Sequence, residues 1–444
     1  MPGINNMHLH GLRTLMGFAT VSLTITYILL HYLSPAVLFP HLPHSNLMMW
    51  LATITVLMCL PRVVAHPELL LSSVVYTMIG LMAAVPISLV GETSIVGVLW
   101  GLREFLANGV VFFLVIASLD SIAQIRVLAY STAMVAIYLL TQSLSGWYRN
   151  GLESQYVRVQ HIYDASIGAT SGFARLQSVG VLADPNEFAQ FLLVTAALLT
   201  LGWRSGSLWR NVASVILPTS YLIYGVLATR SRSGLIGLSM LVFLLLVKRF
   251  RKTISASLSI GLLGFMYWGG AAGPRTTSLS DPDIAGRINA GHAAMTMFRD
   301  FPVLGVGFMR FGNHYPSLTA HNSVLLCLAE LGIFGCTFWL GLIVFSIRDL
   351  NRVSEWGSER APALGLTACT NSCRIALFTF LATACFLSGT YSMTLYLLLG
   401  MAAAIRELNL QQLKIDAPLE LAESEYQFPR EEAFQLQIRI PEQV

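Results

Sequence analysis

Charge is scarce in this sequence. Only 11% of its 444 residues are Asp, Glu, Lys or Arg, against about 25% in soluble globular domains. That excludes a water-facing fold for most of the chain. Lysine is scarcer still: Lys248, Lys252 and Lys414 are the whole complement. The six cysteines (Cys59, Cys327, Cys336, Cys369, Cys373 and Cys385) lie in or beside apolar runs, not in the long hydrophilic stretches. No disulfide framework is therefore expected. Cys369 and Cys373 have no second ligand pair at metal-site spacing and read as packing. The patterns GxxxxGK[ST], HExxH and GxSxG are missing, and an ATPase and a zinc protease lose ground. Nothing points to a nucleic-acid partner.

Apolar sequence fills the space that charge leaves. The chain is 55% hydrophobic with a mean hydropathy of +0.65. A helix needs about 20 mostly apolar residues to cross a bilayer. Runs of that order, some shorter, lie near Leu12–Tyr32, Leu47–Leu60, Leu69–Val90, Ile95–Leu119, Val127–Leu144 and Glu187–Trp203. Six more lie near Val212–Thr229, Gly234–Val247, Ile254–Gly270, Ser323–Ile347, Ile375–Ser388 and Met393–Ile405. The expected fold is all-α: a polytopic membrane bundle of about 12 transmembrane helices. The first run lacks a small-residue cleavage site and reads as a retained span.

Basic residues orient the spans. With the N-terminus cytoplasmic, Arg62, Arg126, Arg204, Arg210, the cluster Lys248 to Lys252, Arg348, Arg352 and Arg360 all face inward. Both termini are then cytoplasmic. A transmembrane domain is expected over 1–405, followed by a charged cytoplasmic tail, 406–444, with a strand or partner contact near Phe434–Ile440. The tail carries four basic and eight acidic residues, so the net +4 of the whole chain conceals a basic body.

Two long segments, about 145–185 and 271–320, face outward. With the short turn at 229–233 they hold nine arginines and no lysine: Arg149, Arg158, Arg175, Arg230, Arg232, Arg275, Arg287, Arg299 and Arg310. Positive charge is disfavoured on that side, so these residues need a reason. A guanidinium stays charged and binds phosphate through two parallel hydrogen bonds. The second segment is expected to be partly helical: Asp281 caps it, Pro282 suits the first turn, and the helix continues to Arg299. The breaker-rich Phe301 to Gly307 follows.

The polar pair His321-Asn322 stands where a long apolar helix begins. Imidazole can accept a proton near pH 7, and Asn322 can orient the ring or bind a sugar hydroxyl. Gly332 and Gly335 thin the same helix for close packing of another helix or a lipid chain. Arg230 and Arg232 sit between two spans at the depth of a lipid diphosphate, with Ser231, Ser233 and Gly234 at the following helix start. Asp184-Pro185-Asn186-Glu187 caps the sixth span, with sugar binding or general-base chemistry as the other reading. Arg103 and Glu104 interrupt the fourth run and are expected to pair with each other or a bundle partner. Glu330 reads as a structural buried acid.

These motifs resemble the O-antigen ligase and O-antigen polymerase superfamily. His321-Asn322, nine residues, Gly332, two residues, Gly335 matches the ligases' H-[NSQ]-x9-G-x2-[GTY] pattern. Thr229 to Gly234 resembles the family's Ser-Arg helix entry, Arg287 with Pro302 to Gly307 its loop arginine and PxxGxG turn, and Asp184-Pro185-Asn186 a DPN element. Gly291-His292 stands where the family usually has an aromatic residue after the loop arginine. The resemblance implies a C-type glycosyltransferase-like bundle with an outward site in a bacterial inner membrane. It implies a donor glycan on undecaprenyl diphosphate, and no metal or cofactor. By position, Arg232 and Arg287 would hold the diphosphate and His321 would act on the acceptor. Arg230, Asn322, Arg310, Asp184 and Asn186 would contact substrate.

The acceptor stays open: lipid A-core for a ligase, a growing polysaccharide for a polymerase, or a protein for an O-oligosaccharyltransferase. A polysaccharide or lipid transporter is the rival from another class. Transporters usually place polar sites near the bilayer midplane, whereas here the polar residues gather at one face.

Overall fold

The computed structural model describes residues 3–38, 46–164, 169–274, 282–315, 319–359 and 364–426. Asp281, Arg275, Arg360 and the segment 434–440 lie outside the described residues. Each of the twelve apolar runs falls on a helix: α1 (Gly3–Leu33), α2 (Leu47–Ala65), α3 (Ser73–Leu89), α4 (Ile95–Ser118), α5 (Ile122–Asn150), α6 (Pro185–Leu199), α7 (Leu217–Ala228), α8 (Arg232–Leu246) and α9 (Lys252–Trp268), then, after the loop helix α10 (Pro282–Asp300), α11 (Ser323–Glu359), α12 (Leu364–Ala384) and α13 (Met393–Tyr426). Among the described residues, seven stretches are long and apolar enough to cross a membrane by themselves: Met16–Leu33, Leu47–Ala65, Ile95–Ser118, Ile122–Glu153, Leu208–Ala228, Ser323–Ser354 and Met393–Lys414. The protein is thus a helical, multi-pass membrane protein.

Local sequence explains where several helices start. Ser72, Ser94, Ser121 and Ser231 each stand at an N-cap, and each hydroxyl accepts the backbone N–H three residues on. This satisfies a donor that the helix itself leaves without a partner. Asp184 does the same for α6, accepting from Asn186 and Glu187 N–H, with Pro185 at the first helical position. Gly151 ends α5 with φ 57°. The backbone from Val212 to Ile216 is a π-helical segment leading into α7.

Burial separates inner from outer helices. In α6 nearly every residue is buried, Phe188 and Phe191 among them. A helix apolar on all sides belongs at the centre of a bundle. It packs on α7, α8 and α12. In α2 only Thr55 and Cys59 are buried, and α9 exposes Phe265 and Trp268, as outer helices facing lipid would. Arg103, on α4, is exposed, and among the described residues neither it nor Glu104 forms an ion pair. The expected pairing is absent because α4 turns that face outward. All six cysteines are free thiols.

Two features differ from the sequence reading. The first outer segment folds as an antiparallel hairpin, β1 (Val157–Asp164) with β2 (Ala169–Leu176), in an otherwise helical fold. And the chain does not leave the bundle at 405: α13 continues to Tyr426, with Glu407, Leu408 and Asn409 buried.

The helix connections gather at two ends. At one end Val181 N–H bonds Ser34 Oγ, Phe308 N–H bonds Ser88 Oγ, and Arg175 Nε bonds Thr229 O. At the other, Arg62 donates to the carbonyls of Ala117 and Leu119, and Arg406 pairs with Asp349. The three lysines belong to the second end.

Candidate functional site

The site begins with a broken helix. α11 runs from Ser323, but Gly332 sits at φ 60°, ψ −164° and interrupts it. The segment 302–307 enters the gap. Val306 and Gly307 N–H donate to the carbonyls of Ala329 and Glu330 (2.9 and 3.0 Å), and Ile333 and Phe334 N–H donate to the carbonyls of Pro302 and Val303 (2.9 and 3.1 Å). Backbone groups released by the break are therefore paired with the inserted loop, which buried polar groups require. A Cβ at Gly332 would lie 2.3 Å from Val303 O, and one at Gly305 would lie 2.4 Å from the Glu330 carbonyl carbon. Gly332, expected with Gly335 to admit a helix or lipid chain, admits this loop instead. Gly335 faces only its own helix, against Leu331. Glu330 is buried and accepts the Phe311 N–H (3.1 Å), anchoring the loop further.

This insertion carries the chain to His321 at the head of α11. His321 has φ 48°, a left-handed conformation that costs a non-glycine residue about 1–2 kcal/mol. Such strain persists where the surroundings overdetermine it. Here the segment 385–390, between α12 and α13, does so. His321 N–H bonds Ser388 Oγ (3.0 Å), Ser323 Oγ bonds Leu387 O (2.7 Å), and Gly389 N–H bonds Ser323 Oγ (2.9 Å). Asn322 is a cap and a strap: its Oδ1 accepts from Val324 and Leu325 N–H, and its Nδ2 donates to Cys385 O (2.9 Å).

A second strained residue precedes α8. Arg230 has φ 48°, and its guanidinium lies over the Phe173 ring, 5.7 Å from the centroid. Beneath it is a buried polar network that the sequence did not single out. Arg175, from β2, bonds Thr229 O (3.0 Å), Gln160 Oε1 (3.0 Å) and Asn186 Oδ1 (2.7 Å). Ser231 Oγ donates to the same Asn186 oxygen (2.7 Å) and caps Gly234 N–H (3.0 Å). The hairpin and α6 thereby fix the backbone that presents Arg232 at the first turn of α8. Ser231 and Ser233 are both buried.

Arg232, Arg287 and His321 line one cavity of about 1180 Å³. They come from α8, α10 and the head of α11. Arg287 also donates to Phe386 O (3.0 Å), tying α10 to the segment that holds His321. The other wall is apolar, with Ile236, Ile260, Leu263, Tyr267, Trp268 and Phe386. A narrower groove of about 240 Å³ continues between α8 and α9, sharing Ile236, Ile260 and Leu263 and adding Met240 and Phe243. Charge at one end and an apolar channel at the other suit an amphipathic, anionic lipid.

The remaining sequence candidates are placed differently. Asn322 lines the cavity, but both ends of its amide are bonded to backbone. Arg230 and Arg310 do not line it; Arg310 begins the one-turn helix Phe311–His314. Asp184 pairs with Arg158 (2.8 Å) while capping α6, and Asn186 belongs to the buried network. Neither lines the cavity. Asn186 and Glu187, adjacent on α6, point about 100° apart: Asn186 enters the buried network and Glu187 does not. Among the described residues, no group of three His, Cys, Asp or Glu side chains is placed to hold a metal ion.

The site is a cavity with basic groups at one end and an apolar wall at the other, in a multi-pass helical membrane protein. Residues 217–340, which hold Arg232, Arg287 and His321, match the family model described as O-antigen ligase. Over that stretch, somewhat more than a quarter of its length, the chain is similar to the O-antigen ligase family. Comparison with curated proteins finds no match.

Proposed function

We propose that the protein transfers a glycan from undecaprenyl diphosphate to an acceptor hydroxyl at the outer face of a bacterial inner membrane. All twelve apolar helices then span the bilayer, with both termini cytoplasmic. The observation that carries this reading is the convergence of Arg232, Arg287 and His321 on one cavity with an apolar wall. The polyprenyl tail occupies the groove between α8 and α9, and the diphosphate meets the two arginines.

The chemistry follows from charge. The acceptor oxygen forms a bond to the anomeric carbon as the bond from that carbon to the phosphate oxygen breaks. The electron pair leaves on the diphosphate, and the acceptor's proton passes to the His321 imidazole. Charge on the diphosphate grows as the bond breaks, so fixed guanidinium groups stabilise the transition state more than the ground state. The acceptor is lipid A-core or a growing polysaccharide. The gathering of polar groups at one end, away from the middle of the bundle, favours this reading over a transporter.

Purified protein given lipid-linked glycan and acceptor tests it. Undecaprenyl diphosphate should be released without ATP or added metal, and His321→Ala and Arg232→Ala should stop the release while remaining in the membrane fraction. Full activity in both variants refutes the site. In cells, loss of long chains with one repeat retained indicates a polymerase, and an unmodified core with glycan left on its carrier indicates a ligase.

A further inference from the structure

On the far side of the segment 385–392 lies a second cavity, of about 240 Å³. Its chemistry differs from that of the first. It is lined by His31, Asn108, Glu187, Gln190, Ser392 and Thr394, with no arginine or lysine. Tyr391 supplies ring surface, and Tyr32 is buried behind it against Phe191. Among the described residues, the His31 ring, the Asn108 amide and the Glu187 carboxylate form no hydrogen bond or ion pair, and none of the three is fully buried. Gln190 is the exception: it is buried and its Nε2 is held by Thr383 Oγ1 (2.6 Å) and Phe380 O (3.3 Å), which leaves Oε1 toward the segment at Gly389. Carboxylate, amides, hydroxyls and aromatic faces without fixed positive charge are groups that hold neutral hydroxylated ligands. A diphosphate would find no cation there.

The two cavities share a thin wall. Ser388 lines the small cavity, and its Oγ accepts the N–H of His321, which lines the large one. Ser388 Oγ in turn donates to Thr319 Oγ1 (2.9 Å). Gly389, beside it in the wall, is packed against Phe380, Ser323 and Gln190, and its N–H bonds Ser323 Oγ. The head of α6 contributes Glu187 to the small cavity, while Asn186, one residue earlier, braces the backbone of Arg232 through Ser231.

We propose that this second cavity is a saccharide subsite that holds the acceptor sugar, with its reacting hydroxyl directed past Ser388 and Gly389 toward His321. This rests on the glycan-transfer reading above. Glu187 and Gln190 Oε1 accept from sugar hydroxyls, Asn108 donates, and a tyrosine ring covers one sugar face. The bonds made and broken are those of the transfer step already given; the subsite changes only which hydroxyl is presented.

The test uses full-length protein in lipid nanodiscs, with three probes: undecaprenyl diphosphate for binding, lipid-linked glycan extracted from the source cells as donor, and the acceptor glycan fraction from the same cells. Glu187→Gln and Asn108→Leu should each raise the acceptor KM about tenfold or more, which corresponds to about 1.4 kcal/mol. Affinity for undecaprenyl diphosphate should stay within twofold of the parent. Ser392→Leu, on a different element, should raise the acceptor KM by filling the cavity. Unchanged acceptor KM in all three variants overturns the subsite while leaving the donor reading intact. Loss of undecaprenyl-diphosphate affinity together with acceptor affinity also overturns it, because the two cavities would then not be separate. If the parent protein binds no undecaprenyl diphosphate, the transfer reading itself fails, and the subsite with it.

Discussion

Both ends of this bundle use arginine to hold the fold, as Arg175 does beside the cavity, but only one of them also turns arginines into a cavity. At the end bearing the lysines, guanidinium groups are spent on the fold: Arg62 on two helix-terminal carbonyls, Arg348 and Arg406 on the buried Asp349, Arg374 on Asn351 and Asn371. At the other end, Arg232 and Arg287 reach a cavity from separate helices, and left-handed backbone at Arg230 and His321 is held in place by neighbouring loops. Charge that closes a helix end contributes to stability. Charge that lines a cavity beside strained backbone is arranged for something to bind.

This contrast can be broken by substitution, and the largest effect is expected at the cavity. Arg232→Ala or Arg287→Ala should lower undecaprenyl-diphosphate release by about 100–1000-fold, as removing one preorganised donor does, with the folded yield in detergent close to the parent's. A comparable loss of folded protein would move these arginines into the structural group. Next comes the break in α11. Gly332→Ala places a Cβ against Val303 O at a positive φ and should destabilise the protein by at least about 2 kcal/mol, seen as a lower unfolding midpoint and reduced yield.

Smaller effects sharpen the comparison. Asn186→Ala removes the acceptor shared by Arg175 and Ser231. Leaving buried donors unsatisfied costs about 1–3 kcal/mol, and because the network presents Arg232, undecaprenyl-diphosphate affinity should fall as well. At the opposite end, Arg406→Ala takes one cation from the buried Asp349, which keeps Arg348, and should cost about 1–3 kcal/mol. Its turnover per folded molecule should match the parent's. A fall in turnover there would show that the two ends are coupled.

Much of this was legible in the sequence. Apolar runs marked the helices, since burying or lipid-facing side chains is a property of contiguous residues. Pro282 marked the start of the loop helix. His321 and the arginines were legible as types of residue out of place. The partners were not. The hairpin's Arg175 drew notice only as one outward arginine among nine, because its three acceptors lie on three different elements. Glu187 was passed over in favour of Asp184 and Asn186, because a helix start distributes adjacent side chains around its axis and no sequence rule says which one meets a cavity. A signal for Gly332 was present in its spacing from Pro302 to Gly307, but spacing alone did not reveal that one segment fills a gap in the other.

By itself, then, the chain's composition and order determined a multi-pass helical bundle, its caps, and an uneven distribution of basic residues, because each depends on neighbours within a few turns. Tertiary structure alone decided that Arg232, Arg287 and His321 line one cavity, where the broken helix is repaired, and that two cavities of unlike chemistry share one wall. Those outcomes depend on contacts between residues far apart in sequence, which form only when the helices pack.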